Sequence, residues 1–63
     1  MRRSKTYITD KTGGHFFVEF CGEDFKDSAI RNLKRHLISA NEHPKLYAFL
    51  DLETAKIVTE IID

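Results

Sequence analysis

The order of apolar and polar positions near the start of the chain predicts a β-hairpin. Residues 7–9 are prone to form a strand, and residues 16–20 are a run of aromatic and β-branched side chains. Gly13 and Gly14 lie between the two segments, where glycine is typical of a tight turn. We therefore expect two adjacent antiparallel strands.

A helix is predicted to follow this hairpin. Gly22 ends the strand pattern, Asp24 is placed as an N-cap, and the helix is expected to begin near Phe25 and to end before Pro44. At 100° per residue, one apolar stripe forms, as expected for a helix that packs on a sheet. The stripe contains Phe25, Ala29, Ile30, Leu33, Leu37 and Ala40.

A second hairpin is predicted after the helix. Residues 46–50 and 57–62 have the composition of strands, and the polar residues 53–56 between them lack glycine, which favours a longer loop. The predicted order is therefore ββαββ. The predicted fold class is α+β, with an antiparallel sheet and one helix packed on one of its faces.

Alternation along the strands predicts which side chains share a face of the sheet. Phe16, Val18 and Phe20 are expected to meet the helix, and the intervening residues are expected to face away. With the same alternation at 46–50, an aromatic patch is predicted on the uncovered face. Its members are Phe17, Tyr47 and Phe49. For a contiguous apolar patch on a small domain, coverage by the protein's own strands or an interface with a second copy is favoured, and a site for another protein or for stacked bases is the alternative.

Length, charge and cysteine content limit the possible functions. Sixty-three residues are enough for one domain, and ten basic against ten acidic residues give a formal charge of zero. No apolar run is long enough to span a bilayer, and no export signal is found. The single Cys21 cannot form an internal disulfide, which favours the reducing cytoplasm.

Two groups of basic residues stand out despite the neutral total. Residues 1–5 are predicted to be a flexible basic arm that carries Arg2, Arg3 and Lys5. The outer face of the helix carries Arg31, Lys34 and Arg35. Such residues grip phosphates in nucleic-acid binders, although a basic helix end also complements the helix dipole.

No set of residues predicts catalysis. Asp51, Glu53 and Thr54 resemble the Asp-x-Glu-Thr motif of proofreading 3′–5′ exonucleases, whose carboxylates hold divalent metals, but two carboxylates alone do not fix a two-metal site. The dispersed histidines and the one cysteine do not make a zinc site. We therefore expect no cofactor, no metal and no enzymatic activity.

The sequence thus favours a small cytoplasmic binding module that acts through protein contacts. We expect a homodimer that works as an accessory protein or inhibitor, because proteins of this length are common among bacterial and phage accessory factors. The alternative is a nucleic-acid-binding regulator that uses the basic arm and the basic helix face.

Overall fold

The computed structural model describes residues 2–63 and has the predicted α+β class. One α-helix packs on a three-stranded antiparallel sheet. The strands are β1 (Arg3–Thr9), β2 (His15–Gly22) and β3 (Lys56–Ile61), and the helix α1 (Lys26–Glu42) follows a short 3₁₀ turn (Glu23–Phe25). The sequence thus predicts the fold class, the first hairpin, the helix and the last strand correctly.

Strand β1 lies in the centre of the sheet, because the strand order is β2-β1-β3. It begins at Arg3, so Arg3 and Lys5 belong to the sheet, although the sequence places both of them in an arm that precedes the first strand. Ser4, between them, is fully buried and pairs with Cys21 on one side and with Ile61 on the other. Met1, the first residue of the predicted arm, lies outside the described residues.

The prediction of a fourth strand at 46–50 is wrong. These residues form consecutive turns, in which the Leu46 amide donates to the His43 carbonyl and the Leu50 amide donates to the Tyr47 carbonyl, each at 3.0 Å. The predicted order ββαββ is therefore replaced by ββαβ. The physical reason is that turns satisfy the backbone groups of this segment locally while Leu50 enters the core, so the outer edge of β3 stays unpaired.

Helix α1 packs on the sheet through the predicted stripe, with one exception at its start. Leu33 and Ala40 are buried together with Ile8 of β1 and with Leu50 of the following loop. Phe25, by contrast, is exposed, and it is the N-cap residue of α1, so the helix begins one residue later and without the Asp24 cap. The core therefore extends from the middle of α1 towards its C-terminus.

A β-bulge in β2 changes which side chains face the helix. Thr6 pairs with Glu19 and Ile8 pairs with Phe16, so both Phe17 and Val18 lie opposite Tyr7. Phe17 has a positive φ of 55°, a conformation that is uncommon for a bulky residue. As a result, the strict alternation that the sequence predicts does not hold across the bulge.

The faces of β2 are therefore largely the reverse of those expected. Because paired residues project to the same face, Glu19 and Cys21 lie on the helix side of the sheet with Thr6 and Ser4. Val18 and Phe20 lie on the uncovered side, and only Phe16 keeps its expected place next to the core. Two of the three side chains expected to meet the helix therefore face solvent.

Candidate functional site

The three aromatic residues that the sequence singles out do come together. The ring centroids of Phe17, Tyr47 and Phe49 lie 5.9–6.0 Å from one another. Phe16 joins them, with its ring 5.5 Å from that of Phe49. We call Phe16, Phe17, Tyr47 and Phe49 the aromatic cluster. These spacings are in the range of favourable tilted aromatic contacts.

The aromatic cluster lies on the helix side of the sheet, not on the uncovered face where the sequence predicts it. Phe17 stacks on His36 of α1, with the ring centroids 4.3 Å apart and the rings 10° from parallel. Tyr47 and Phe49 reach the cluster from the turns after α1. The bulge in β2 turns Phe17 towards the helix, and the missing fourth strand removes the reason to place Tyr47 and Phe49 on the far face.

The aromatic cluster is only partly covered by the rest of the molecule. Phe17 and Tyr47 are half-buried, whereas Phe49 is 54% exposed. The neighbouring Leu46 is 74% exposed. Phe49 therefore contacts other rings and still presents a large apolar surface to solvent.

Gly14 helps to fix the position of this cluster. A side chain at Gly14 would place its Cβ 2.8 Å from the ring of Phe16, which is closer than real Cβ contacts allow. The absence of a side chain therefore lets the Phe16 ring lie directly against the backbone of the β1–β2 turn. This packing holds the ring that supports Phe49.

The predicted basic residues do not form one surface. Arg31, Lys34 and Arg35 are exposed on α1, which covers the Ile8 side of the sheet. Lys5 lies on the opposite side, with its Nζ 5.2 Å from the centroid of the Tyr7 ring. Arg3 lies two residues before Lys5 in β1 and therefore projects from the same side of the sheet. Arg2 comes directly before the strand.

A second group of interacting side chains lies on the uncovered side of the sheet. Tyr7 stacks on His15 with ring centroids 3.8 Å apart, and its hydroxyl donates to Glu60 Oε1 at 2.8 Å. This hydrogen bond raises the pKa of Tyr7. Lys5 Nζ donates to His15 Nδ1 at 3.1 Å. The sequence does not predict this group, because Lys5 is expected in the arm that precedes the first strand.

Asp51 of the exonuclease-like motif has structural partners. The Asp51 amide donates to Asp10 Oδ2 at 2.9 Å, and Asp51 Oδ2 accepts from the Thr54 hydroxyl at 2.6 Å. Lys11 Nζ lies 3.8 Å from the same Asp51 oxygen. The motif is therefore a turn that joins the loop before β3 to the end of β1.

Asp10 is the centre of these loop contacts. Besides the Asp51 amide, its carboxylate accepts the Thr12 amide at 2.9 Å and the Thr12 hydroxyl at 2.5 Å. The hydrogen bond from the Asp51 amide, followed by that from the Thr12 hydroxyl, lowers the pKa of Asp10. One nearly buried carboxylate thus fixes both the β1–β2 turn and the segment that follows the aromatic cluster.

Other features of a small-molecule or metal site are not found in the described part of the chain. Residues 2–63 contain no cluster of three or more histidine, cysteine, aspartate or glutamate side chains placed to hold a metal ion. The same residues enclose no pocket. Within them, no helix combines the length and the apolar content needed to cross a bilayer.

Comparisons with known proteins give no match: no protein family, no curated protein and no solved structure resembles this chain significantly.

Proposed function

We propose that this protein is a non-enzymatic binding module that acts through protein contacts at the aromatic cluster. The observation that supports this proposal most is Phe49, which contacts three other rings and is still 54% exposed. Aromatic side chains at the centre of an interface contribute much of its binding energy, and they lose little entropy when already held in place.

The homodimer is the form in which we expect the module to work. A domain of this length has a small core, and a second copy placed over Phe49 and Leu46 would remove exposed apolar surface from water. A cytoplasmic accessory protein or inhibitor of bacterial or phage type would then dock on its target as a dimer. This part of the proposal rests on size and on the exposed rings.

Sedimentation equilibrium tests the homodimer. We expect the parent protein to dimerise at tens of micromolar and Phe49→Ala to weaken the dimer by about 2 kcal/mol, or roughly thirtyfold, as for an interface hot spot. Ile38→Ala is the matched control, because Ile38 is equally apolar, 60% exposed and outside the aromatic cluster. A parent protein that remains monomeric would contradict the dimer.

A capture experiment separates the proposal from the nucleic-acid alternative. Partners bound by the immobilised protein should survive nuclease treatment and disappear with Tyr47→Ala or Phe49→Ala. Reversal of charge at Arg31 and Arg35 should leave the capture unchanged, because both lie on the exposed side of α1. Loss of the partner with the charge-reversed protein, and not with the aromatic variants, would overturn the proposal.

A further inference from the structure

We propose that the uncovered face of the sheet is a separate binding site that takes a single strand of nucleic acid, with Phe20 as a stacking platform and Lys5 and Lys56 as phosphate contacts. We call this surface the open face. Its side chains include Arg3, Lys5, Tyr7, Phe20, Lys56 and Glu60. The proposal is independent of the aromatic cluster, which lies on the other side of the sheet.

Phe20 provides the first reason. It pairs directly with Lys5 of the central strand, so both side chains project from the same face. Its ring is 65% exposed, although a phenylalanine beside a central strand is usually covered. An exposed ring next to a cation on a sheet surface matches how unpaired bases and their phosphates are bound.

The charges of the open face provide the second reason. The Glu60 carboxylate on this face accepts a hydrogen bond from the Tyr7 hydroxyl. At the edge of the sheet, Asp63 Oδ1 lies 3.5 Å from Arg3 Nε. Among the described residues, no carboxylate lies within ion-pair distance of Lys5 or Lys56. Arg3, Lys5 and Lys56 outnumber the two carboxylates of this region, those of Glu60 and of Asp63 at the edge. Although the whole chain is neutral, this face therefore carries a small positive excess that complements a phosphate backbone.

The central place of Lys5 argues against a second copy as the occupant. Its ammonium group is held near the middle of the face by His15 Nδ1 and the Tyr7 ring. A dry interface would bury this cation without an ion pair, because the carboxylate of its cross-strand partner Glu60 accepts the Tyr7 hydroxyl, and burial of an unpaired charge is costly. A nucleic-acid strand whose phosphates stay in contact with water does not impose this cost of burying Lys5.

A single strand fits better than a duplex. A ring that projects from a sheet stacks on bases that are unpaired, whereas the bases of a duplex already stack on one another. The contacts involve ring faces and phosphates, so we expect little dependence on sequence.

Fluorescence anisotropy with labelled oligothymidylate and oligouridylate of about 12 nucleotides tests the site. The parent protein should bind, and log affinity should fall with log salt at a slope of about −0.7 for each phosphate contacted. Phe20→Ala should weaken binding roughly tenfold or more, as expected for the loss of one stacked base. Lys5→Gln and Lys56→Gln should each reduce the slope by about 0.7.

Two matched controls lie elsewhere on the surface. Phe25 is 62% exposed at the start of α1, and Lys34 is exposed on the outer side of the helix. Phe25→Ala and Lys34→Gln should therefore leave oligonucleotide binding unchanged, and circular dichroism is the check that each variant is folded. Phe49→Ala should also bind normally, so the outcome does not depend on the proposed function.

Three results would overturn the inference. The first is a parent protein that binds neither oligonucleotide at low salt. The second is equal weakening by the open-face variants and their controls. The third is a dimer that dissociates with Phe20→Ala and not with Phe49→Ala, because the open face would then bind a second copy.

Discussion

Phe17 shows how the backbone of one residue changes the surface of the protein. Its positive φ accompanies the bulge in β2, and the bulge places two consecutive rings, Phe16 and Phe17, on the helix side. Alternation along a sequence assumes a regular pleat, and nothing in the run of residues 16–20 marks the irregular step. The sequence could therefore predict that these rings matter, although not which side of the sheet they reach.

Asp10 gives a prediction about pH. Because its pKa is lowered in the folded protein, its ionised form adds stability above the unfolded pKa of about 3.9, and this contribution is lost as the pH falls through the lower folded value. Asp10→Asn should melt at a lower temperature than the parent at neutral pH. The difference should shrink in acid, as thermal melts across the pH range would show. Parallel curves for the two proteins would contradict this role for the carboxylate.

At the scale of elements, the helix is the part that its sequence predicts best, and the segment after it is predicted worst. The stripe on α1 is long and periodic, so the burial of Ala29, Leu33 and Ala40 follows from spacing alone, and only Phe25 at its start departs from it. Residues 46–50 have the composition of a strand, yet they form turns and place Leu50 in the core. Their conformation depends on these tertiary contacts, which local composition does not reveal.

Leu33 gives a prediction for the packing of α1. It is only 1% exposed and lies against Ile8 and Leu50, so Leu33→Ala should lower the free energy of unfolding by about 2–5 kcal/mol. Chemical denaturation measures the change. Ile38→Ala on the same helix should cost no more than about 0.5 kcal/mol, because Ile38 is exposed. Similar effects of the two substitutions would show that the helix does not pack as described.

At the scale of the whole molecule, the protein is thin and presents two distinct surfaces. Its extents are 39 × 21 × 14 Å, and its radius of gyration of 12.0 Å exceeds the roughly 11 Å expected for a compact chain of this length. The shortest extent, 14 Å, corresponds to one helix packed on one sheet. The aromatic cluster lies on the helix side of the sheet, and the open face lies on the other side.

That Phe17, Tyr47 and Phe49 lie together could be predicted from the sequence, whereas the side of the sheet could not. Alternation along the predicted strands groups the three residues, but on the uncovered face. Phe16 contacts Phe49, and His36 stacks on Phe17. These contacts require the bulge and the turns after α1, which depend on tertiary structure. The open face could not be predicted, because it depends on the central position of β1.

Isotope-filtered nuclear Overhauser spectroscopy tests the central claim most directly, namely that the aromatic cluster binds protein. In a mixture of labelled and unlabelled chains, we predict intermolecular contacts from the Phe49 ring to Leu46 or Tyr47 of the other copy. Such contacts place the cluster at the interface. Intermolecular contacts confined to Phe20 and Val18, or none at concentrations where sedimentation shows a dimer, would contradict the account.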